Sequence, residues 1–176
     1  ILGHGGIKRD DPDWYKALLV TRVFGGGGLS SRLYEEIREK RGLAYSVYAY
    51  LSPMQHSGII AGGVATQNAR AAESVSVIRA EWKKLAEKGI TAKELATAKT
   101  YLNGSFPLRL GSSRGIAGML VGIQIADLGM DYIEKRPSLI NSITLAEANR
   151  VAQRLFRADD LTVIVVGDPK GMEEKP

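Results

Sequence analysis

The spacing of apolar and polar residues changes several times along the chain, and each change marks an element. Residues 1–8 (ILGHGGIK) are glycine-broken and partly apolar, which suits a short strand. Asp10, Asp11, Pro12 and Asp13 then predict a helix start, with acidic residues and a proline in the first turn. Trp14, Leu18, Leu19 and Val23 follow at helical spacing until Gly25 ends the run. Beyond the glycines 25–28, Ser30 or Ser31 can cap a second helix with Glu35 and Glu36 in its early turns. Leu33, Ile37 and Tyr34 form its apolar stripe. Arg38, Lys40 and Arg41 crowd the last turn, where cations suit the carbonyl end, and Gly42 suits the reversal that follows.

From Leu43 the period is two. Leu43, Tyr45, Val47, Ala49 and Leu51 are expected on one face of a strand, with Ala44, Ser46, Tyr48 and Tyr50 on the other. Residues 52–58 read as a hairpin connection into a second strand, Ile59 to Thr66, and so short a connection makes the pair antiparallel. The second half is mostly helical. Ala72, Val75, Ile78, Trp82 and Leu85 mark a helix ending near Gly89. Thr91 with Glu94 and Thr144 with Glu147 are capping boxes that open two more, and Pro107 should disturb the first of these. Between them, Ile116, Met119, Leu120 and Ile123 stripe a helix from Ser113 to Asp127 that stops at Gly129, and a shorter helix lies around residues 132–142. Leu161 to Val166 is almost wholly apolar and is expected to be a central strand. Strands flank a helical block rather than alternating with helices. The expected class is therefore α+β, an antiparallel-rich sheet packed on one side by helices. No repeat and no linker divides the chain, so residues 1–176 read as a single domain. The chain begins at Ile1 without an initiator Met, which suggests a piece of a longer polypeptide.

Composition narrows the chemistry. A hydrophobic share of 44% and a charged share of 24% are ordinary for a globular chain, and no run approaches the ~18 apolar residues that span a membrane. The net charge of +5 is spread along the sequence rather than gathered with aromatics, which argues against a nucleic-acid surface. The absence of cysteine excludes disulfides, thiolate zinc sites and cysteine catalysis. His4 and His56 are the only histidines, each read as a surface or turn residue, and neither His-x-x-Glu-His nor His-Glu-x-x-His occurs. No Gly-x-Ser-x-Gly is present, and no Gly-Lys-Ser/Thr follows the glycine run, so that run reads as a flexible or close-approach loop.

Arg38 and Tyr45 remain. A glycine reversal between them can bring guanidinium and phenol into one neighbourhood, as two donors able to hold a carbonyl oxygen that becomes an oxyanion. The alternative is a solvated helix-end cation and an inward-facing core tyrosine.

The segment GGGGLSSRLYEEIREKRGLAYSV, which contains both residues, resembles the pitrilysin/insulinase family of zinc peptidases, which includes the mitochondrial processing peptidase. The likeness is to the second, zinc-free domain or subunit, and it continues through Phe106 to Arg136 and the closing LTVIVVGDP. It looks most like the bacterial two-subunit type. The resemblance implies two homologous α+β units around a chamber. One carries zinc on His-x-x-Glu-His, whose Glu activates water. The other presents an Arg and a Tyr to the substrate's backbone carbonyl. Carried over, Arg38 and Tyr45 are that pair, and Gly25, Gly26, Gly27 and Gly28 fall at a substrate-handling loop, shorter here than in the processing peptidase. It further implies no cofactor in this chain, zinc in a partner domain or subunit, an extended peptide as substrate, and no hydrolysis by this chain alone. An edge strand pairing with the peptide would make binding sequence-tolerant. The isolated piece is allowed a homodimer, with neither nucleic acid nor membrane insertion expected, and the resemblance leans to the bacterial periplasm over the cytoplasm. Two other readings are a structural subunit like the core proteins of respiratory complexes, and a basic anion- or nucleic-acid-binding module.

Overall fold

Four stretches of extended chain pair into one sheet. β1 (Leu2–Gly5), β2 (Ala44–Pro53), β3 (Gly58–Thr66) and β4 (Thr162–Val163) are joined antiparallel in the order β2-β3-β1-β4. The computed structural model describes residues 1–26, 28 and 30–172. Among the described residues six α-helices accompany the sheet: α1 (Trp14–Phe24), α2 (Ala71–Lys88), α3 (Ala92–Gly104), α4 (Ser113–Ile125), α5 (Tyr132–Asn141) and α6 (Leu145–Leu155). The expected α+β class is the one found.

The core lies between the sheet and the helices. Leu2 and His4 of β1, Val47 and Ala49 of β2 and Ile60 of β3 turn one face inward, where Phe24, Trp82 and Phe156 meet edge-on or tilted with centroids 5.0–5.4 Å apart. Aromatic rings prefer such edge contacts because their faces are negative and their rims positive. The opposite face of β2 carries Tyr48 and Tyr50, stacked 6.1 Å apart and exposed. Helix ends follow the sequence cues. Thr91 with Glu94 and Thr144 with Glu147 close both capping boxes, and α2 gives way to Gly89 at φ 66°.

Three expectations need correcting. The apolar run 161–166 does not form a central strand. Only Thr162 and Val163 pair, at the sheet's edge beside β1, and Ile164 and Val166 stand exposed. Apolar composition signals burial, but strand order is decided by which neighbour completes the ladder. The stripe of α4 is likewise uncovered. Of its four expected core residues Ile123 alone is buried, while Ile116 and Leu120 are exposed, because the helix leans on the turn Pro107–Leu110 rather than on the sheet. His4 is neither on the surface nor in a turn. It sits on β1 and accepts a hydrogen bond from Trp82 Nε1 at 3.1 Å through Nε2. An indole can only donate, so the His4 proton is on Nδ1, which donates to the Gly5 carbonyl at 2.8 Å. Burial pushes its pKa down, which keeps the ring neutral. His56 lies exposed in the β2–β3 connection, as expected.

Candidate functional site

The segment after the glycine loop is built to aim side chains. Ser31 caps it: the Ser31 hydroxyl accepts from the Tyr34 amide at 3.4 Å, and the Ser31 carbonyl accepts from Glu35 N at 3.1 Å. Residues Tyr34–Glu39 then form a π-helical turn, with Lys40 N donating to Glu35 O at 2.9 Å across five residues. Such wide turns are uncommon and often sit at functional sites. Leu33 and Ile37 are fully buried and anchor one side. On another, Lys40 and Arg41 are drawn to Glu36 at 2.7 and 2.5 Å. Among the described residues Arg38 is left with only a loose approach to Glu39, 3.9 Å from Nε.

What holds Arg38 instead is two rings. Its Cζ lies 4.3 Å from the centre of Tyr45 and 5.0 Å from that of Tyr34. A guanidinium over an aromatic face is oriented without its donors being consumed. Tyr34, expected on the apolar stripe, is half-buried and serves this stack, four residues before Arg38. Desolvation first, and the Glu39 carboxylate after it, push its phenol up, so it stays protonated at neutral pH.

Gly42, at φ 57°, turns the chain into β2, where a bulge lies between Ala44 and Ser46. A bulge adds one residue to one strand and re-aims the side chain there. Strict alternation puts Tyr45 on the face of Val47, which is buried, and the alternative reading makes it an inward core residue. It is 80% exposed instead, and its hydroxyl has no hydrogen-bond partner among the described residues. The geometry thus joins Arg38 and Tyr45 as two donor-bearing groups facing solvent, which is what gripping a carbonyl oxygen requires.

The glycines are placed elsewhere. Gly25 is buried against β2, its carbonyl accepting from Ala49 N at 2.8 Å, and a Cβ there would come within 2.8 Å of Ala49 and 2.9 Å of Leu33. Close packing accounts for that glycine. Gly26 and Gly28 are exposed, the latter at φ 84°, and Gly27 lies outside the described residues. The groove that Tyr45 lines, with Gly42, Thr66 and Arg70, includes none of the described loop glycines, Gly25, Gly26 and Gly28. Among the described residues no group of three or more His, Cys, Asp or Glu is arranged to hold a metal ion. The described side chains therefore do not fit a zinc site of their own.

Comparison with known proteins gives a consistent picture. The model of the peptidase M16 inactive domain matches residues 3–102. An uncharacterized zinc protease of Streptomyces coelicolor is 32% identical over 166 residues, 93% of this chain and 36% of the relative. The non-peptidase homolog YmxG of Helicobacter pylori is 31% identical over 164 residues, 93% of this chain and 38% of the relative. The crystal structure of a peptidase M16 inactive domain from Pseudomonas fluorescens shares the fold with a TM-score of 0.83 at 31% identity, over 91% of this chain and 38% of that one. The chain spans well under half the length of these relatives.

Proposed function

The chain belongs to the peptidase M16 inactive domain family, and from that premise we propose that it is the substrate-holding, non-catalytic half of a zinc endopeptidase. The observation that carries the reading is the Arg38–Tyr45 stack at 4.3 Å, with the phenol turned to solvent by the β2 bulge. In this reading Arg38 and Tyr45 donate to the backbone carbonyl of an extended peptide and fix its position. A zinc-bearing His-x-x-Glu-His domain or subunit opposite supplies the Lewis acid and the activated water. Because the grip is on the main chain, it tolerates many sequences. Gly26, Gly27 and Gly28 belong to this reading as a loop that handles the peptide, and Gly25 as its packed anchor.

Reconstitution with the zinc-bearing mate tests the roles. Arg38→Ala and Tyr45→Phe are each expected to lower peptide turnover at least about tenfold, roughly the loss of one carbonyl or oxyanion donor. Unchanged turnover in both variants removes the assignment. A second reading, an assembly subunit without a peptidase role, is favoured by one finding: a relative 31% identical is a non-peptidase homolog. Fluorescence anisotropy with a labelled extended peptide separates the two, since a scaffold gives no saturable binding.

A further inference from the structure

Basic residues that are dispersed in the sequence converge in the fold. Arg9, Arg22, Arg109 and Arg136 line one cavity of about 580 Å³ between α1, α3, α5 and β2, and no Asp or Glu is among the described residues that line it. We infer that this cavity is a binding site for a small organic anion, a carboxylate or phosphate group on an apolar or planar body.

Arg22 and Arg136 are each only 7% exposed. A guanidinium so far removed from water ordinarily has a carboxylate beside it, because its desolvation is otherwise uncompensated. Here the Arg22 Cζ lies 3.8 Å from the Tyr101 ring centre, and its hydrogen bond among the described residues is a long 3.4 Å approach to Ser30 Oγ on the side of an adjoining pocket, whose Glu35, Glu39 and Glu94 make no ion pair with it. Arg136 lies 4.2 Å from the Phe106 ring and donates to the Leu102 carbonyl at 3.0 Å. Arg22 Nε and the neighbouring Thr21 Oγ1 are buried without hydrogen-bond partners among the described residues, an uncommon condition in a finished structure. Burial pushes both guanidiniums down from the ordinary arginine range, and repulsion from Arg109 adds to this at Arg136. An anion in the cavity relieves all of these strains together.

The walls specify the rest of the ligand. Arg9 stands over Trp14 at 4.9 Å and near Tyr132 at 5.9 Å, and Phe106 meets Tyr132 edge-on at 6.4 Å. Aromatic faces beside guanidiniums suit a ring or apolar body carrying the charge, and the volume falls within the range of small-molecule sites. Among the described residues the cavity shares no lining residue with the groove of Tyr45, so the inference stands apart from the peptide-holding role.

The test titrates the 176-residue chain with phenyl phosphate and with benzoate at constant ionic strength, benzyl alcohol being the uncharged control. Trp14 lines the cavity and reports by its emission, while Trp82 is sealed in the core as a constant background. Calorimetry on the same samples covers a ligand that leaves emission unchanged. Saturable binding of at least one anion and none of benzyl alcohol is expected, and which anion binds assigns phosphate or carboxylate chemistry. Arg109→Gln, at an exposed position, weakens it about tenfold, as for one charge-assisted hydrogen bond. Arg114→Gln, on the exposed surface of α4, leaves it unchanged. Absence of saturable binding by both methods, equal binding of benzyl alcohol, or equal weakening by the two substitutions overturns the site.

Discussion

Arginine stands in two kinds of surroundings in this chain. At one end, α6 presents Arg150 and Arg154 to Asp13, with nitrogens 2.6 Å from its two carboxylate oxygens, and Arg154 also reaches Asp11 at 3.0 Å. Arg32 grips Glu94 through two hydrogen bonds of 2.6 and 2.8 Å. At the other end, Arg9, Arg22, Arg109 and Arg136 have rings, carbonyls or open space beside them and no ion pair among the described residues, and Arg38 has its loose approach to Glu39 at 3.9 Å. The first group joins elements distant in sequence: α6 to the start of α1, and the segment after the glycine loop to the start of α3. Its donors are consumed by doing so. The second group keeps donors free, and both proposed sites are made from it. Charge neutralised within the chain is structural; charge left over is available to a ligand.

The comparison breaks most visibly at Asp13. Its carboxylate is almost fully buried and serves Arg150, Arg154 and, at 3.5 Å, Lys16. Asp13→Ala is expected to cost about 3 kcal/mol in urea unfolding, the upper end for hydrogen bonds to charged groups. A loss below about 1 kcal/mol would place this network with ordinary surface pairs and erase the distinction. Hydrogen bonds from Arg150 and then Arg154 outweigh burial and hold the Asp13 pKa at about 2.

Glu94 sharpens the same contrast through pH. Burial by itself raises its pKa, but hydrogen bonds from Arg32 and from Thr91 bring it down to about 2 from an ordinary 4.5. A carboxylate with a depressed folded-state pKa stabilises fully above its unfolded value and loses that contribution as pH falls through the folded one. Glu94→Gln should therefore cost about 1.5 kcal/mol near neutral pH. The difference from the unmodified chain should shrink as pH drops from 4.5 toward 2, as followed by urea midpoints across that window. A gap that stays constant would mean that shape, not charge, makes the Arg32–Glu94 contact.

Much of the scaffold could be read from local chemistry. The two Thr–Glu capping boxes, the reversals at Gly42 and Gly89 and the hairpin between β2 and β3 are where residue type and spacing put them. Arg38 and Tyr45 were also legible as neighbours, since seven residues with one glycine reversal leave little choice. Their orientation was not. The bulge between Ala44 and Ser46 carries no glycine to announce it, and one added residue reverses which way Tyr45 points. The π-helical turn depends on backbone bonds five residues apart, to which side-chain periodicity is blind. His4 finds Trp82 across 78 residues, and the four arginines of the cavity come from positions 9 to 136, so no window along the sequence contains either arrangement. The run 161–166 misled because its apolar character was right and its place in the ladder was not encoded locally.

The smallest expected effect is the most discriminating. Arg22→Met removes a buried charge of similar length that has no carboxylate partner among the described residues, so the desolvation it suffers in the folded state disappears along with its weak contacts. Replacement of buried charge by a well-packed apolar side chain is often neutral or stabilising. Urea unfolding of Arg22→Met should thus lie within about 1 kcal/mol of the unmodified chain, or above it, whereas the carboxylate substitutions all lose stability. If Arg22→Met instead falls by as much as Asp13→Ala, the Arg22 guanidinium is part of the framework that holds α1 to α3. The division between arginines that build the fold and arginines held in reserve for a ligand would then have to be redrawn through α1 itself.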